Sequence, residues 1–98
     1  LDTRDRWRRA MVGHAVSNVI PVAAANRIGE EDGQLFYGSS FVAGPDGSFL
    51  AEMGRDEEGV RVATIDLAAV RRERASWGFF RDRRPELYGS LLTADGRL

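Results

Sequence analysis

The 98-residue chain has no cysteine, and all 14 of its basic residues are arginine, so it has no lysine either. Without cysteine it forms no disulfide, offers no thiolate to a metal ion and supplies no thiol nucleophile. Without lysine it supplies no catalytic side-chain amine. A cysteine-free sequence is compatible with a reducing compartment, and we expect a cytoplasmic location.

Long apolar runs are missing as well. The longest, from Val19 to Ala25, contains Pro21 and is far shorter than the roughly 20 residues that cross a bilayer. The first residues do not have the pattern of a signal peptide, so we expect neither a signal peptide nor a membrane partner. The 14 arginines are balanced by 15 acidic residues. Because acids lie within or beside each arginine cluster, solvated faces and ion pairs are favoured over nucleic-acid binding.

The apolar spacing predicts the element order α-β-β-β-β-α followed by a tail. A helix is predicted over 2–18 and a second over 67–76, with Asp66 as its N-cap. Strands are predicted over 19–28, 35–43, 48–53 and 59–65, separated by glycine-rich turns at 29–33, 44–47 and 54–59. The strand over 19–28 is apolar on both alternating sets, which indicates that both of its faces are covered.

This order predicts an α/β (α+β) fold that makes a poor complete domain. Four strands with two helices leave uncovered sheet edges and too little helix to cover both faces. We therefore interpret residues 1–76 as half of a layered domain. Residues 77–98 contain too many large apolar groups for a solvated tail and form an arm that packs on its own domain or on a partner subunit.

Three segments resemble a known family. Gly38, Ser40, Pro45 and Gly47 fill the pattern G-x-S-x-x-x-x-P-x-G, and residues 25–29 fill A-N-R-x-G. The more specific segment is R-D-R-R-P-E-L-Y at residues 81–88, combined with the G-H-A-x-x-N helix at residues 13–18. Across nearly its whole length the chain resembles the C-terminal part of the nitrilase superfamily of carbon–nitrogen hydrolases, and within it the carbamoylputrescine branch.

The resemblance implies an enzyme with a four-layer α-β-β-α sandwich, of which this chain is the C-terminal half. Such enzymes hydrolyse non-peptide C–N bonds with a Glu, a Lys and a Cys, and need neither a metal nor an organic cofactor. All three catalytic residues lie upstream in the family, so we expect no catalytic residue here and no activity from these residues alone. The implied substrate is a small carbamoyl amine or amide, and the implied assembly is a homo-oligomer joined through the C-terminal arm.

Two other interpretations stay open. In the first, the parent protein is a related carbamoyl-amide hydrolase that acts on a carbamoylated amino acid. In the second, the chain is a non-catalytic truncated module that docks on a full-length relative. The residues that select the substrate lie mostly upstream in the family, so this segment does not distinguish well between the first alternative and the carbamoylputrescine branch.

Four residues are candidates for a substrate pocket: His14, Asn26, Arg27 and Tyr37. For each, a structural role is the more frequent outcome. His14 lies on an apolar helix face as a hydrogen-bonded core residue does, and Asn26 and Arg27 either hold a loop at the pocket rim or satisfy backbone groups. Tyr37 forms either pocket wall or core.

Other polar groups are weaker candidates. The acidic run over 30–32 either attracts a cationic amine or is a wet loop. Ser40 is not expected to be a nucleophile, because the only histidine and the acids show no triad arrangement. For the arm, we expect an interface in which guanidinium groups pair with carboxylates across subunits. The predicted interface residues are Trp77, Arg81, Arg83, Arg84 and Tyr88.

Overall fold

The computed structural model describes residues 2–97, which begin with helix α1, Arg4–Asn18. At its start, Asp2 Oδ1 accepts a hydrogen bond from the Arg4 amide at 3.0 Å. The C-cap is Val19, which is buried and left-handed (φ 49°), and the Ile20 amide donates to the Ala15 carbonyl at 3.0 Å. The strand predicted from residue 19 is therefore wrong at its beginning, because residues 19 and 20 close the helix and the strand starts after Pro21.

Helix α1 packs on an antiparallel sheet of three strands in the order β1-β4-β5: β1 (Val22–Ala24), β4 (Phe41–Ala43) and β5 (Phe49–Glu52). The turn over 44–47 joins β4 to β5, so the predicted hairpin is confirmed there. Phe41 and Ala43 pair with Ala24 and Val22, which places all four on one face. This face contacts Ala15, Trp7, Met11 and Val12 of α1. The core of the described residues therefore lies between one helix and one sheet face.

Two predicted strands are in fact divided between two sheets. Gly38 and Ser39 are both left-handed (φ 53° and 63°), so the predicted strand over 35–43 breaks into β3 (Gln34–Tyr37) and β4. The predicted strand over 19–28 also breaks, at residues 25–27, into β1 and β2 (Ile28–Glu31). Strands β2 and β3 form a separate antiparallel hairpin. We call this left-handed pair, Gly38–Ser39, the joint between hairpin and sheet.

The hairpin turn is shorter than predicted. Asp32 and Gly33 both have positive φ (52° and 79°), which is typical of the two-residue Asp-Gly turn. Glu31 and Gln34 pair directly across it. The predicted turn over 29–33 is therefore wrong for residues 29–31, which belong to β2.

Residues 59–65 do not form the predicted fourth strand in the described part of the chain. Val60 and Val62 are 82% and 86% exposed and belong to no ladder there. Helix α2 (Leu67–Trp77) follows, and Asp66 caps it as predicted, since its Oδ1 accepts a hydrogen bond from the Ala69 amide at 3.1 Å. The corrected order is one helix, five strands and a second helix, and the α/β (α+β) class is confirmed.

The arm contains two short 3-10 turns, Pro85–Leu87 and Gly89–Leu92, and its large apolar side chains are exposed. The described residues extend over 47 × 39 × 15 Å, a thickness that fits one helix layer on one sheet. The four-layer sandwich and the division into 1–76 and 77–98 stay predictions, and residues 1 and 98 lie outside the described part. No helix among the described residues is long and apolar enough to cross a membrane.

Candidate functional site

An open cavity of about 500 Å³ lies beside the three-stranded sheet, and we call it the sheet cavity. Its floor includes small apolar residues of the three strands: Ala23, Val42 and Ala51. These three are in register across the sheet, on the face opposite to the one that α1 covers. The rim is polar and comes from two places, the segment over 57–61 and the pair Asn26 and Ser40.

Asn26 is held at the sheet cavity by two hydrogen bonds to residues on either side of Ser39. Its side-chain Nδ2 donates to the Gly38 carbonyl at 2.9 Å, and its backbone amide donates to Ser40 Oγ at 2.8 Å. Asn26 is half-buried, is held by these two hydrogen bonds, and is one of the residues that line the cavity. Of the four predicted pocket residues, Asn26 is the one that lines this cavity.

Arg27, Tyr37 and His14 lie elsewhere. The Arg27 guanidinium forms an ion pair with Glu31 and sits 4.2 Å from the Phe36 ring centroid. The Tyr37 ring packs on the Trp7 ring of α1, with 5.7 Å between centroids. His14 is exposed on α1, not in the core. The structure therefore brings Asn26 to a cavity and distributes the other three over the hairpin and the helix, and whether any of them contacts a substrate stays a prediction.

Arg8, on α1, is a functional candidate that the sequence interpretation missed. It is only 7% exposed, and its Nε and Nη2 both donate to the Ser39 carbonyl, at 3.1 and 2.8 Å. Its Nη1 donates to Glu52 Oε1 at 2.8 Å. The guanidinium also lies 5.4 and 4.9 Å from the ring centroids of Phe41 and Phe49. A buried charge with this many partners is fully compensated and fixes the groups around it.

Ser39 receives these contacts in a left-handed conformation and is 1% exposed. Its Oγ accepts a hydrogen bond from Arg4 Nε at 2.8 Å and donates to the Tyr37 carbonyl at 2.8 Å. Its amide donates to the Gly54 carbonyl at 3.1 Å. The left-handed backbone at a non-glycine residue is thus held by contacts from α1 and from the chain after β5.

The five predicted interface residues lie together in the arm and pair locally. Arg81 Nε donates to Asp82 Oδ1 at 2.8 Å, which holds the pKa of Asp82 below its usual value. Arg84 pairs with Glu86, and that hydrogen bond lowers the pKa of the Glu86 carboxyl. The other three, also largely exposed, contact the arm itself: Trp77 stacks on Phe79, Arg83 donates to the Phe80 carbonyl, and Tyr88 Oη accepts from the Arg84 amide. The predicted subunit contact stays untested.

A family model described as carbon–nitrogen hydrolase matches residues 3–75. An N-carbamoylputrescine amidase of Arabidopsis thaliana is 53% identical over 106 residues, which cover all of this chain and 36% of the relative. A citrullinase of Francisella tularensis is 42% identical over 93% of this chain and 33% of its own length. The chain thus spans about a third of the length of these relatives.

A solved structure agrees with the sequence comparisons. The crystal structure of a carbon–nitrogen hydrolase from Helicobacter pylori G27 superposes with a TM-score of 0.83 at 39% identity. The match covers 94% of this chain and 34% of that one.

Proposed function

The chain belongs to the carbon–nitrogen hydrolase family, and on that premise we propose that its parent enzyme hydrolyses N-carbamoylputrescine. The observation that carries the proposal is the 53% identity to an N-carbamoylputrescine amidase over the whole of this chain. Similar identity, 51%, to the N-carbamoylputrescine amidase of Solanum tuberosum over 98% of the chain supports it. One water converts the substrate into putrescine, ammonia and carbon dioxide.

The catalytic groups of this reaction come from outside the 98 residues. A thiolate attacks the ureido carbon, a carboxylate transfers protons, and a fixed cation stabilises the oxyanion. The thiol and the amine cannot come from a chain without cysteine and lysine. The role that we assign to this segment is to build part of the substrate pocket, with Asn26 holding an amide group at the sheet cavity.

The charges around the sheet cavity support a cationic substrate. Its lining includes Glu57, Glu58 and Arg61. Arg61 pairs with Glu57, whereas the carboxylate of Glu52, a further lining residue, pairs with Arg8 on the α1 side of the sheet. N-carbamoylputrescine carries one ammonium group and no carboxylate, so an acidic rim attracts it without repelling any part of it.

Citrulline is the second candidate substrate, and the 42% identity to a citrullinase favours it. Citrulline has the same ureido end as N-carbamoylputrescine but adds an α-carboxylate. The acidic rim disfavours that carboxylate, because like charges repel. This difference makes the two substrates a sensitive pair for testing the proposal.

We further propose that the parent enzyme is a homo-oligomer joined through the arm. The arm exposes large apolar side chains, among them Trp77 at 60%, Leu91 at 78% and Leu92 at 90%. A patch of this kind is costly in water and is typical of a surface that another protein surface covers.

The test is to purify the full-length parent protein and the 98-residue chain separately and to measure ammonia release. We expect the full-length protein to turn over N-carbamoylputrescine with a higher kcat/KM than citrulline, and the 98-residue chain to match the blank. Ammonia from the 98-residue chain would contradict the assignment of the catalytic groups to other parts of the protein. A full-length protein that prefers citrulline would replace the first substrate with the second.

A further inference from the structure

Arg8 and the joint form one connected set of contacts that ends at the sheet cavity. The Arg8 guanidinium holds the Ser39 carbonyl with two hydrogen bonds. The residues before and after Ser39 are the two that bind Asn26, through the Gly38 carbonyl and Ser40 Oγ. A displacement of Ser39 therefore moves both partners of Asn26 together.

The joint also sets the orientation of the hairpin β2–β3 relative to the sheet. The Gly38 amide donates to the Arg27 carbonyl at 2.9 Å, so the two points at which the chain leaves and re-enters the sheet are tied to each other. Next to the joint, Tyr37 packs on Trp7 of α1 and its carbonyl accepts from Ser39 Oγ. The joint is thus tied to the hairpin by hydrogen bonds, and the hairpin residue next to it packs on α1.

We propose that Arg8 is a positioning residue, which acts through Ser39 to place the Asn26 side chain at the sheet cavity. This inference rests on the proposed function, in which the sheet cavity binds the substrate. Arg8 lies in the helix and contacts the joint from the α1 side. Its planar guanidinium suits this role, because two parallel N–H groups fix a carbonyl in direction as well as in distance. A lysine ammonium keeps the charge but cannot direct two parallel N–H groups at the Ser39 carbonyl.

The test uses the full-length parent protein with three variants. Arg8→Lys removes the paired hydrogen bonds to the Ser39 carbonyl and keeps a cation near Glu52. Glu52→Gln removes the ion pair and leaves both hydrogen bonds to the Ser39 carbonyl. Arg9→Lys is the matched control, because Arg9 is an exposed arginine next to Arg8. For each protein, KM for N-carbamoylputrescine and kcat per mole of folded enzyme are measured. Hydrogen–deuterium exchange of the segment over 26–40 is measured as well.

Since a misplacement of about 1 Å can cost on the order of 100-fold in rate, we expect Arg8→Lys to lower kcat/KM roughly 10- to 100-fold. The loss should include a higher KM, and exchange should rise in residues 26–40 but not in the rest of the sheet. Arg9→Lys should stay within about threefold of the parent, since an exposed charge contributes little. Glu52→Gln should leave the exchange of residues 26–40 unchanged, because both hydrogen bonds from Arg8 to the Ser39 carbonyl remain. A purely structural role would lower the folded fraction and leave KM unchanged.

Two results would overturn the proposal. One is an Arg8→Lys enzyme whose KM for N-carbamoylputrescine equals that of the parent. The other is unchanged exchange in residues 26–40, which would mean that the joint does not depend on the guanidinium. If the parent does not hydrolyse N-carbamoylputrescine, the proposed function fails on its own, and the exchange comparison still decides whether Arg8 holds the joint.

Discussion

Replacing Gly38 with alanine should destabilise the protein by about 2–5 kcal/mol. Two terms contribute. Gly38 has φ 53°, and the left-handed region costs a non-glycine residue roughly 1–2 kcal/mol. The added Cβ would also lie 2.5 Å from Ile28 Cγ2 and 2.8 Å from the Arg55 carbonyl oxygen. Since backbone cannot yield as a side-chain end does, overpacking adds about 1–3 kcal/mol.

Gly33→Ala is the matched control, because it isolates the second term. Gly33 also has positive φ (79°), but nothing lies within 4 Å of the Cβ position there. We expect it to lose only the conformational term, about 1–2 kcal/mol. Urea unfolding of the full-length protein followed by tryptophan fluorescence measures both variants, and at an m value of about 2–3 kcal/mol/M the midpoint of Gly38→Ala should fall by about 1–2 M. Equal losses at the two positions would refute the close approach at Gly38.

Four further outcomes are expected. Asp66→Ala should cost about 0.5–2 kcal/mol and speed amide exchange at the start of α2, whereas Asp66→Asn should cost less; equal costs would show that the cap is not used. Hydrogen bonds from Ser48 hold the pKa of the Asp46 carboxyl below its ordinary 3.8, so this group stabilises the fold above that pH, and the contribution is lost as the pH falls through the folded pKa; Ser48→Ala should raise the pKa in an NMR titration. Glu58→Gln should raise KM for N-carbamoylputrescine roughly two- to fivefold and leave KM for uncharged n-butylurea unchanged. The 98-residue chain alone should aggregate or unfold without a sharp transition, and a cooperative melt of a soluble monomer would contradict this.

Local signals in the sequence predicted the parts of the fold that depend on neighbouring residues. Asp66 was identified as an N-cap because an acidic residue directly precedes a helical pattern, and its carboxylate does accept the Ala69 amide. The Gly-Pro-Asp-Gly segment at 44–47 predicted a turn, and the Gly47 amide donates to the Gly44 carbonyl at 2.9 Å. Both features are determined within four residues, so tertiary contacts had little to override.

The errors came from features that depend on distant groups. Alternation at Val60 and Val62 predicts a strand, yet a strand also needs a partner, and alternation does not say where the partner is. Gly38 within an apolar strand pattern is a known sign of a bend, and this sign was available. The left-handed Ser39 had no such sign, since serine rarely adopts that conformation without outside contacts.

Arg8 shows why the site was only partly predictable. It belongs to an arginine cluster that the charge balance marks as a solvated face, and Arg6 and Arg9 are indeed exposed. A helical count could have separated it, because Arg8 lies three, four and seven residues before Met11, Val12 and Ala15, which face the core. What no count reveals is the acceptor, since Ser39 is 31 residues away and takes its position from the fold.

The joint makes the hairpin β2–β3 a separable module. Both of its strands leave the three-stranded sheet at the same level, where the Gly38 amide and the Arg27 carbonyl meet. Between that point and the turn at Asp32–Gly33, side chains alternate between two faces. Lengthening each strand by two residues next to the turn would extend the module and keep every side chain on its present face. Adding one residue to a single strand would move the side chains beyond it to the opposite face. The turn is therefore the place in this segment where length can change, in nature or by design, without a change of sheet, core or cavity.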